Sequence, residues 1–246
     1  CMGNMNFILK GNSVLTTNGN GHNYVAGNVT IDGQGARKWV QFTGGSEVSF
    51  NVGGNFSAKN FTPFSEPGAG PTNVYLHNVY VTGRDTCGTF YCLTGDINNS
   101  SFNGNFKLIG DSAYIYSINN SLFRGVDNLF QSVSLDFQSN QFGQTGSGTT
   151  TIRAAYVGGG YPYMRDGNNK FFSNATWETY SPYPGGLTIQ QNFYGVDTCL
   201  GNMNFVLKGN SGLTTNGGGN NYVAGNLTID GQGARKWVQF TGGSEV

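Results

Sequence analysis

The opening stretch of this chain, from Cys1 to Val48, returns almost unchanged as Cys199 to Val246. The two copies differ at only six positions: Met2/Leu200, Ile8/Val206, Val14/Gly212, Asn20/Gly218, His22/Asn220 and Val29/Leu227. A long internal repeat of this kind is typical of proteins that stack copies of one structural unit along an axis. The sequence therefore predicts one unit, residues 1–198, and the start of the next, residues 199–246, within a longer tandem array.

Composition narrows the classes of function. The chain is 37% hydrophobic and 11% charged, with 40 glycines and a formal net charge of zero. Zero net charge gives no electrostatic reason to expect a nucleic-acid partner. No apolar run approaches the length of about 18 residues that marks a spanning helix, so membrane insertion is not expected. The 14% of aromatic residues supply apolar surface for a folded core.

Short strand-like segments separated by glycine and asparagine fill the sequence, and helical periodicity is nearly absent. Examples are NFILK, VTID, KWVQF and VYLHNVYV. Glycine and asparagine tolerate the backbone angles of tight turns. Five glycines also recur at every eighth position, so three short sides with corners would make a coil of about 24 residues. These glycines are Gly3, Gly11, Gly19, Gly27 and Gly35.

A second periodic signal lies further along the chain. The segment from Ile97 to Phe102 reads INNSSF, and the segment from Ile118 to Phe123 reads INNSLF. The step between them is close to the expected length of one coil. This spacing predicts successive coils in which isoleucine stacks on isoleucine and phenylalanine on phenylalanine inside. The asparagine side chains would form a hydrogen-bonded ladder at the turn.

NVTIDGQG at Asn28, NLTIDGQG at Asn226 and the INNSxF pair resemble right-handed parallel β-helix proteins of the pectate-lyase-like class. The resemblance covers Asn4 to Phe142 and implies an all-β solenoid in tandem units. At about 4.8 Å per coil, eight coils would span roughly 40 Å per unit. Residues 143–198, rich in Gly, Tyr and Pro, are expected to be irregular or to join two units. The alternative is tandem immunoglobulin-like sandwiches, but the Cys–Trp–Cys spacing of that fold is missing.

The residues do not assemble into a recognisable catalytic motif, and the chain is not expected to be an enzyme. Its aspartates are scattered without an Asp-Asp pair, and His22 and His77 stand alone. His22 is Asn220 in the second copy, which argues against a catalytic role. Asp32 in TIDGQG suits backbone hydrogen bonding in a turn better than calcium binding, since the β-roll nonapeptide is absent. No cofactor or metal site is predicted.

Four cysteines are present. Cys87 and Cys92 are close enough in sequence to predict a local disulfide, which would indicate an extracellular compartment. Cys1 and Cys199 occupy the same position in the two copies, so each unit holds three cysteines and one lacks a partner. That residue is either a free buried thiol or a cross-link to a neighbouring chain.

Eight asparagines lie in Asn-x-Ser/Thr sequons and are candidates for N-linked glycans. Five of them, of which Asn28 and Asn226 are copies of one site, are predicted glycosylation sites: Asn28, Asn55, Asn60, Asn174 and Asn226. The other three stand in the INNSxF motif, where the predicted ladder would turn them inward: Asn98, Asn99 and Asn119.

These features predict a structural subunit of an extracellular filament or cell-surface fibre that associates with itself. Near-identical units give identical contacts at each step, and contacts that do not close produce open filaments. Algal flagellar hairs (mastigonemes) and giant microbial adhesins are analogous in kind. The alternative is a carbohydrate-active β-helix enzyme or sugar-binding adhesin module. Its groove would be lined by five aromatic residues: Tyr161, Tyr163, Trp177, Tyr180 and Tyr183.

Overall fold

The described residues fold into strands and contain no helix. The computed structural model describes residues 1–10, 14–18, 23–32, 39–43, 50–59, 73–83, 86–92, 94–110, 115–132, 134–155, 163–181, 188–193, 198–209, 212–217, 222–232 and 238–242. None of these residues lies in a helix that could cross a membrane. The strands form three sheets in which every strand pairing is parallel. The predicted β-solenoid is therefore confirmed, and the alternative of immunoglobulin-like sandwiches, which are antiparallel, is wrong.

Each coil contributes one strand to each of three sheets, here called A, B and C, except that the last described coil contributes to A and B only. Sheet A contains β1 (Met5–Ile8), β4 (Val29–Asp32), β7 (Phe56–Lys59), β10 (Thr86–Cys92), β13 (Asn105–Gly110), β16 (Asp127–Ser132), β19 (Thr149–Ala155), β22 (Asn174–Ser181), β25 (Met203–Gly209) and β28 (Leu227–Gln232). Sheet B contains β2 (Val14–Asn18), β5 (Trp39–Thr43), β8 (Asn73–His77), β11 (Thr94–Asn98), β14 (Ile115–Asn119), β17 (Ser134–Gln138), β20 (Tyr163–Gly167), β23 (Thr188–Phe193), β26 (Gly212–Gly217) and β29 (Val238–Gly242). Sheet C contains β3 (Asn23–Val25), β6 (Phe50–Val52), β9 (Val79–Val81), β12 (Ser101–Phe102), β15 (Leu122–Phe123), β18 (Gln141–Phe142), β21 (Lys170–Phe171), β24 (Thr198–Cys199) and β27 (Tyr222–Val223).

The strand register confirms the expected number of coils. Met5 pairs with Val29, and following the sheet A partners onward reaches Met203 after eight coils. One unit, residues 1–198, therefore makes eight coils. Coil length varies: along sheet A, the shortest step leads from Gly88 to its partner Phe106, and the longest leads from Phe56 to Gly88. The corners between strands absorb this variation, so the strand pairing stays in register.

Inward-facing side chains stack on their counterparts in neighbouring coils. In sheet C, the rings of Phe102, Phe123, Phe142 and Phe171 form a column, with successive centroids 5.5, 5.4 and 4.9 Å apart and planes within 16° of parallel. All four are buried. Burying each ring stabilises the fold by roughly 1.5–3 kcal/mol, and each aromatic contact adds about 0.5–1.5 kcal/mol. The predicted stacking of Phe102 on Phe123 is confirmed, as is the Ile97–Ile118 register.

The described part of residues 143–198 is not irregular, contrary to the expectation from sequence. This segment supplies β19 to β24, which continue all three sheets. Its β22 alternates buried Ala175 and Trp177 with outward Thr176 and Glu178, and it pairs with β19 on one side and with β25 on the other. The boundary between the units thus lies inside continuous sheets. The glycine- and proline-rich stretches of the sequence obscure this alternation.

Glycines stack at the corner that leads from sheet C into sheet A. The N–H of Gly27 donates to the carbonyl of Gly3, and the N–H of Gly54 donates to the carbonyl of Gly27, at 3.2 and 3.0 Å. A Cβ atom at Gly27 would collide with the amide oxygen of Asn4 and with the backbone of Gly3. The coils approach each other too closely here for a side chain, which explains the glycine of the dipeptides Gly27-Asn28 and Gly54-Asn55.

Gly3 and Gly201 occupy the same position in the two copies and provide a matched test of this close approach. A Cβ at Gly201 would lie 2.7–2.8 Å from the backbone of Ser173 and Asn174, whereas a Cβ at Gly3 would meet nothing within 4 Å. Gly201→Ala is expected to lower the free energy of unfolding by about 1–3 kcal/mol through overpacking. Gly3→Ala should leave it unchanged within about 0.5 kcal/mol. Urea unfolding in dilute solution measures both, and equal losses at the two positions would contradict the stacking at this corner.

Candidate functional site

Asparagine side chains bridge successive coils just after the stacked glycines. We call this set the corner ladder; it comprises Asn4, Asn28, Asn55, Asn174, Asn202 and Asn226. The Oδ1 of Asn4 accepts the N–H of Asn28, and the Oδ1 of Asn28 accepts the N–H of Asn55, both at 2.8 Å. The same bonds recur from Asn174 to Asn202 at 3.0 Å and from Asn202 to Asn226 at 2.9 Å. Each rung gives a backbone N–H at the corner a partner that the strand ladder does not provide.

A second set of rungs lies inside the corner between sheets B and C. We call it the buried ladder; it comprises Ser100, Ser121, Asn140 and Asn169, all at most 2% exposed. The Oγ of Ser121 accepts the N–H of Ser100 at 3.1 Å, the Oδ1 of Asn140 accepts the N–H of Ser121 at 3.0 Å, and the Oδ1 of Asn169 accepts the N–H of Asn140 at 2.9 Å. Because a buried polar group without a partner costs about 1–3 kcal/mol, these rungs fix the register of the coils.

The buried ladder corrects the interpretation of the INNSxF motif. Serine, not asparagine, makes the rung in these two coils. The second asparagine instead takes a left-handed backbone conformation at the corner, with φ of 49° at both Asn99 and Asn120. Asparagine is among the residues that tolerate this region. The first asparagine, Asn98 or Asn119, lies on the outside of sheet B and has a buried amide oxygen without a hydrogen-bond partner among the described residues.

The predicted glycosylation sites differ in their exposure to solvent. Asn28 and Asn226 are exposed, whereas Asn55 and Asn174 are half-buried. Asn28 and Asn174 also carry rungs of the corner ladder through Oδ1. Asn60 lies outside the described residues. Of the weaker candidates, Asn99 is exposed, and Asn98 and Asn119 are half-buried.

Cys1 and Cys199 differ in environment although they occupy the same position in the two copies. Both are free thiols; Cys1 is exposed and Cys199 is fully buried. Cys199 pairs with Phe171 on one side and with Val223 on the other, at the end of the phenylalanine column. Burial raises the pKa of its thiol, outweighing the backbone hydrogen bonds at Gly201 and Ala175. This position favours the free buried thiol over a cross-link, since the sulfur of Cys199 is inaccessible to a neighbouring chain.

The different environments of Cys1 and Cys199 predict that the two thiols differ in their rate of alkylation. Only a thiolate alkylates, so the raised pKa and the burial of Cys199 both slow its reaction. In native protein at pH 8, Cys1 is expected to react with iodoacetamide at least about 100-fold faster than Cys199, and unfolding in guanidinium should equalise the rates. Peptide mass spectrometry resolves the two sites, because Met2 and Leu200 differ. Rapid native labelling of Cys199 would contradict its burial.

Cys87 and Cys92 lie five positions apart on one strand, β10. An extended strand rises about 3.3 Å per residue, so their Cα atoms are separated by roughly 16 Å even with the irregular pairing at Cys87. A disulfide needs Cα atoms within about 7 Å. This backbone geometry argues against the predicted local bridge.

Aspartates and histidines do not gather into a metal-binding group in the described part of the chain. There is no cluster of three or more His, Cys, Asp or Glu side chains among these residues. His77 contacts one carboxylate, Asp96, with 3.0 Å between Nε2 and Oδ2. Asp32 closes β4 and is half-buried. His22 lies outside the described residues.

Trp177 does not line the predicted aromatic groove. Trp177 is 1% exposed and packs edge-on against Phe137 and Phe171, with centroids 6.4 and 6.1 Å apart. It is therefore a core residue and not a sugar platform. Tyr161 and Tyr183 lie outside the described residues, as do the side chains of Tyr163 and Tyr180.

A cleft of about 340 Å³ does lie on the outside of sheet C. It sits beneath the corner loop of residues 143–148, in which Gln144 and Ser147 form an isolated bridge. Leu122 and Phe172 supply apolar surface. The polar part of its lining is Arg124, Gln141, Gln144 and Thr145. Its volume lies at the lower end of the range for small-ligand pockets, about 300–1,000 Å³.

An ion cluster crosses the boundary between the units. Glu178 of the first unit accepts a hydrogen bond from Nε of Arg153 at 2.6 Å and contacts Nζ of Lys208 of the second unit at 3.4 Å. Burial raises the pKa of Glu178, but the hydrogen bond and charge of Arg153, together with Lys208, outweigh it and hold the pKa below its ordinary value of 4.5. The carboxylate therefore stabilises the junction while it is ionised.

This cluster predicts a specific pH dependence. Because the folded-state pKa is depressed, the stabilisation is complete above pH 4.5 and is lost as the pH falls through the folded value. Glu178→Gln should lower the free energy of unfolding at pH 7 by roughly 1 kcal/mol and should flatten its decline below pH 4.5. Thermal melts from pH 3 to 7 test this, with Asp127→Asn, at an exposed carboxylate, as the control. Parallel pH profiles for wild type and Glu178→Gln would contradict it.

The last described coil leaves core positions open. Leu227 and Ile229 of β28 are 51% and 38% exposed, whereas Val29 and Ile31, at the same positions of the first copy, are 0% exposed. The difference arises because β7 pairs with β4 and covers it. The corner ladder and the buried ladder are the candidate functional features of the chain.

Comparisons of the chain with models of known protein families, with curated proteins and with solved structures found no match.

Proposed function

We propose that this chain is a structural tandem-repeat subunit of an extracellular filament or cell-surface fibre, which associates with itself and carries N-linked glycans. The observation that carries the proposal is the boundary between the two units. There β22 of the first unit pairs in register with β25 of the second, from Ala175 with Met203 to Ser181 with Gly209. Units added in this way extend one solenoid instead of forming separate domains.

The boundary also carries the full set of stabilising contacts. The corner ladder runs from Asn174 to Asn202, the core continues from Trp177 to Phe205, and Glu178 binds Lys208. Such a rod of near-identical steps has the properties that a filament requires, namely a constant rise and the same contact at each step.

A sugar-binding adhesin module is the second candidate, and the cleft beneath residues 143–148 favours it. The side of Phe172 and Leu122 could stack against a sugar ring, with the amides of Gln141 and Gln144 as hydrogen-bonding partners. One such cleft per unit would recur along a fibre on the same face, so this candidate is compatible with the structural role.

The proposal predicts the appearance of the native material. Negative-stain micrographs should show fibres with an axial repeat of about 38 Å, the rise of eight coils at about 4.8 Å each. Intact-glycopeptide mass spectrometry of the same material should find glycans on exposed sequons such as Asn28. Discrete particles that depolymerise pectin or alginate would contradict the structural role and favour the enzymatic alternative.

A further inference from the structure

We infer that the corner ladder is an attachment line for N-linked glycans, in which a rung keeps its hydrogen bond through Oδ1 while Nδ2 carries the sugar. The inference rests on the proposed function, since it requires export of the chain past a glycan-transferring enzyme. It names the sequons that are used and the reason why the fold tolerates a glycan at each. The ladder members that stand in sequons are Asn28, Asn55, Asn174 and Asn226.

The hydrogen bonds of the corner ladder fix the orientation of its side-chain amides. A backbone N–H can be accepted only by the amide oxygen, so Oδ1 of Asn28 faces the N–H of Asn55, at 2.8 Å. Asn174 faces Asn202 in the same way, at 3.0 Å. Because an amide is planar, an oxygen turned toward the next coil turns the nitrogen away from it. Nδ2 of Asn28 and Nδ2 of Asn174 make no hydrogen bond to any described residue, so both nitrogens are available for modification.

Solvent reaches these rungs from outside the solenoid. Asn28 is exposed although coils lie on both sides of it, since β4 pairs with β1 and with β7. Asn174 is half-buried and also lies between two described coils, because β22 pairs with β19 and with β25. The residue after each rung is buried in the core, and the next one, Thr30 or Thr176, faces outward. The exposure of these two rungs therefore does not arise from an uncovered coil.

The buried ladder has the opposite arrangement. Its asparagines use both amide atoms inside the fold, since Nδ2 of Asn140 and Nδ2 of Asn169 donate to backbone carbonyls at 2.6 and 3.2 Å. Neither of these asparagines stands in a sequon. Asn119, which does, donates Nδ2 to Oγ of Ser117 at 2.7 Å and has a buried Oδ1. A glycan on Asn119 would compete with this bond, whereas a glycan on the corner ladder displaces no described partner.

The chemistry of the modification preserves the rung. Transfer of an oligosaccharide from a lipid-linked diphosphate forms a bond between Nδ2 and C1 of the first sugar. The bond from C1 to the diphosphate oxygen breaks, and the lipid diphosphate and one proton from Nδ2 are released. The product is a secondary amide, like a peptide group, and its oxygen still accepts a backbone N–H. A glycan on Asn28 is therefore compatible with the hydrogen bond from Asn55.

The register of sheet A sets the spacing of the glycans along the axis. Asn28 and Asn55 are adjacent rungs, one coil apart. Asn174 lies five coils beyond Asn55 and two coils before Asn226. At about 4.8 Å per coil, these three steps are roughly 5, 24 and 10 Å. All of these glycans would leave the solenoid at the corner between sheets C and A, on a single line parallel to the axis.

Glycopeptide mass spectrometry of the full chain, secreted from eukaryotic cells, tests which sequons are used. Asn28 and Asn174 should be occupied at least about tenfold more often than Asn119. Thr30→Val is the control, because it removes the sequon of Asn28 and leaves the rung in place, so only the glycan on Asn28 should be lost. A glycan on Asn119 would overturn the inference. Bare Asn28 and Asn174 beside an occupied Asn99 would also overturn it, while leaving a glycosylated chain as the proposed function requires.

Hydrogen exchange of the Asn55 N–H tests whether the rung and the glycan coexist. Its exchange rate should agree within about threefold between the glycosylated chain and Thr30→Val, and it should rise at least about tenfold in Asn28→Ala, which lacks the acceptor. Asn28→Asp keeps an acceptor oxygen but cannot be glycosylated, and it should exchange like Thr30→Val. Loss of protection in the glycosylated chain would overturn the inference. None of these outcomes bears on the fibre itself, which is tested by micrographs of native material.

Discussion

The hydrogen bond from one coil to the next at the corners is the interaction on which the rest of the structure depends. Strands pair readily, but a corner turns backbone groups away from the strand ladder and leaves them without partners. Here the side chains of the corner ladder and the buried ladder accept those N–H groups. Glycine before the rung allows the coils to approach closely enough for the bond. Once the corners are fixed, the register of all three sheets follows.

The consequence for packing is that like side chains meet along the axis. Phe123 contacts phenylalanine rings in both neighbouring coils, and these contacts depend on the register that the buried ladder sets through Ser100 and Ser121. At the unit boundary, the same register pairs Trp177 with Phe205 and brings Lys208 into contact with Glu178. The boundary therefore carries the same kinds of contact as the steps within a unit, and this is the physical basis of the proposed structural role.

Much of the fold could be predicted from short-range patterns. The glycine period predicted the coil length seen between Met5 and Val29, and the INNSxF pair placed Ile118 and Phe123 inside. The role of Ser100 was missed, because serine and asparagine both accept a backbone N–H and sequence alone does not show which residue faces inward. The prediction places Trp177 in a groove because tyrosines and prolines surround it in sequence. In the structure, Trp177 alternates with the outward residues Thr176 and Glu178 and therefore faces the core.

The hydrogen bonds between coils run along the axis, and this orientation governs how such a rod bears load. Tension along the axis pulls directly on one coil's bonds at a time instead of shearing many together. A coil that detaches would lengthen from about 4.8 Å to roughly 60–110 Å of extended chain, according to its length. A solenoid loaded in this way would yield in discrete steps, one coil at a time, and would absorb work at each step.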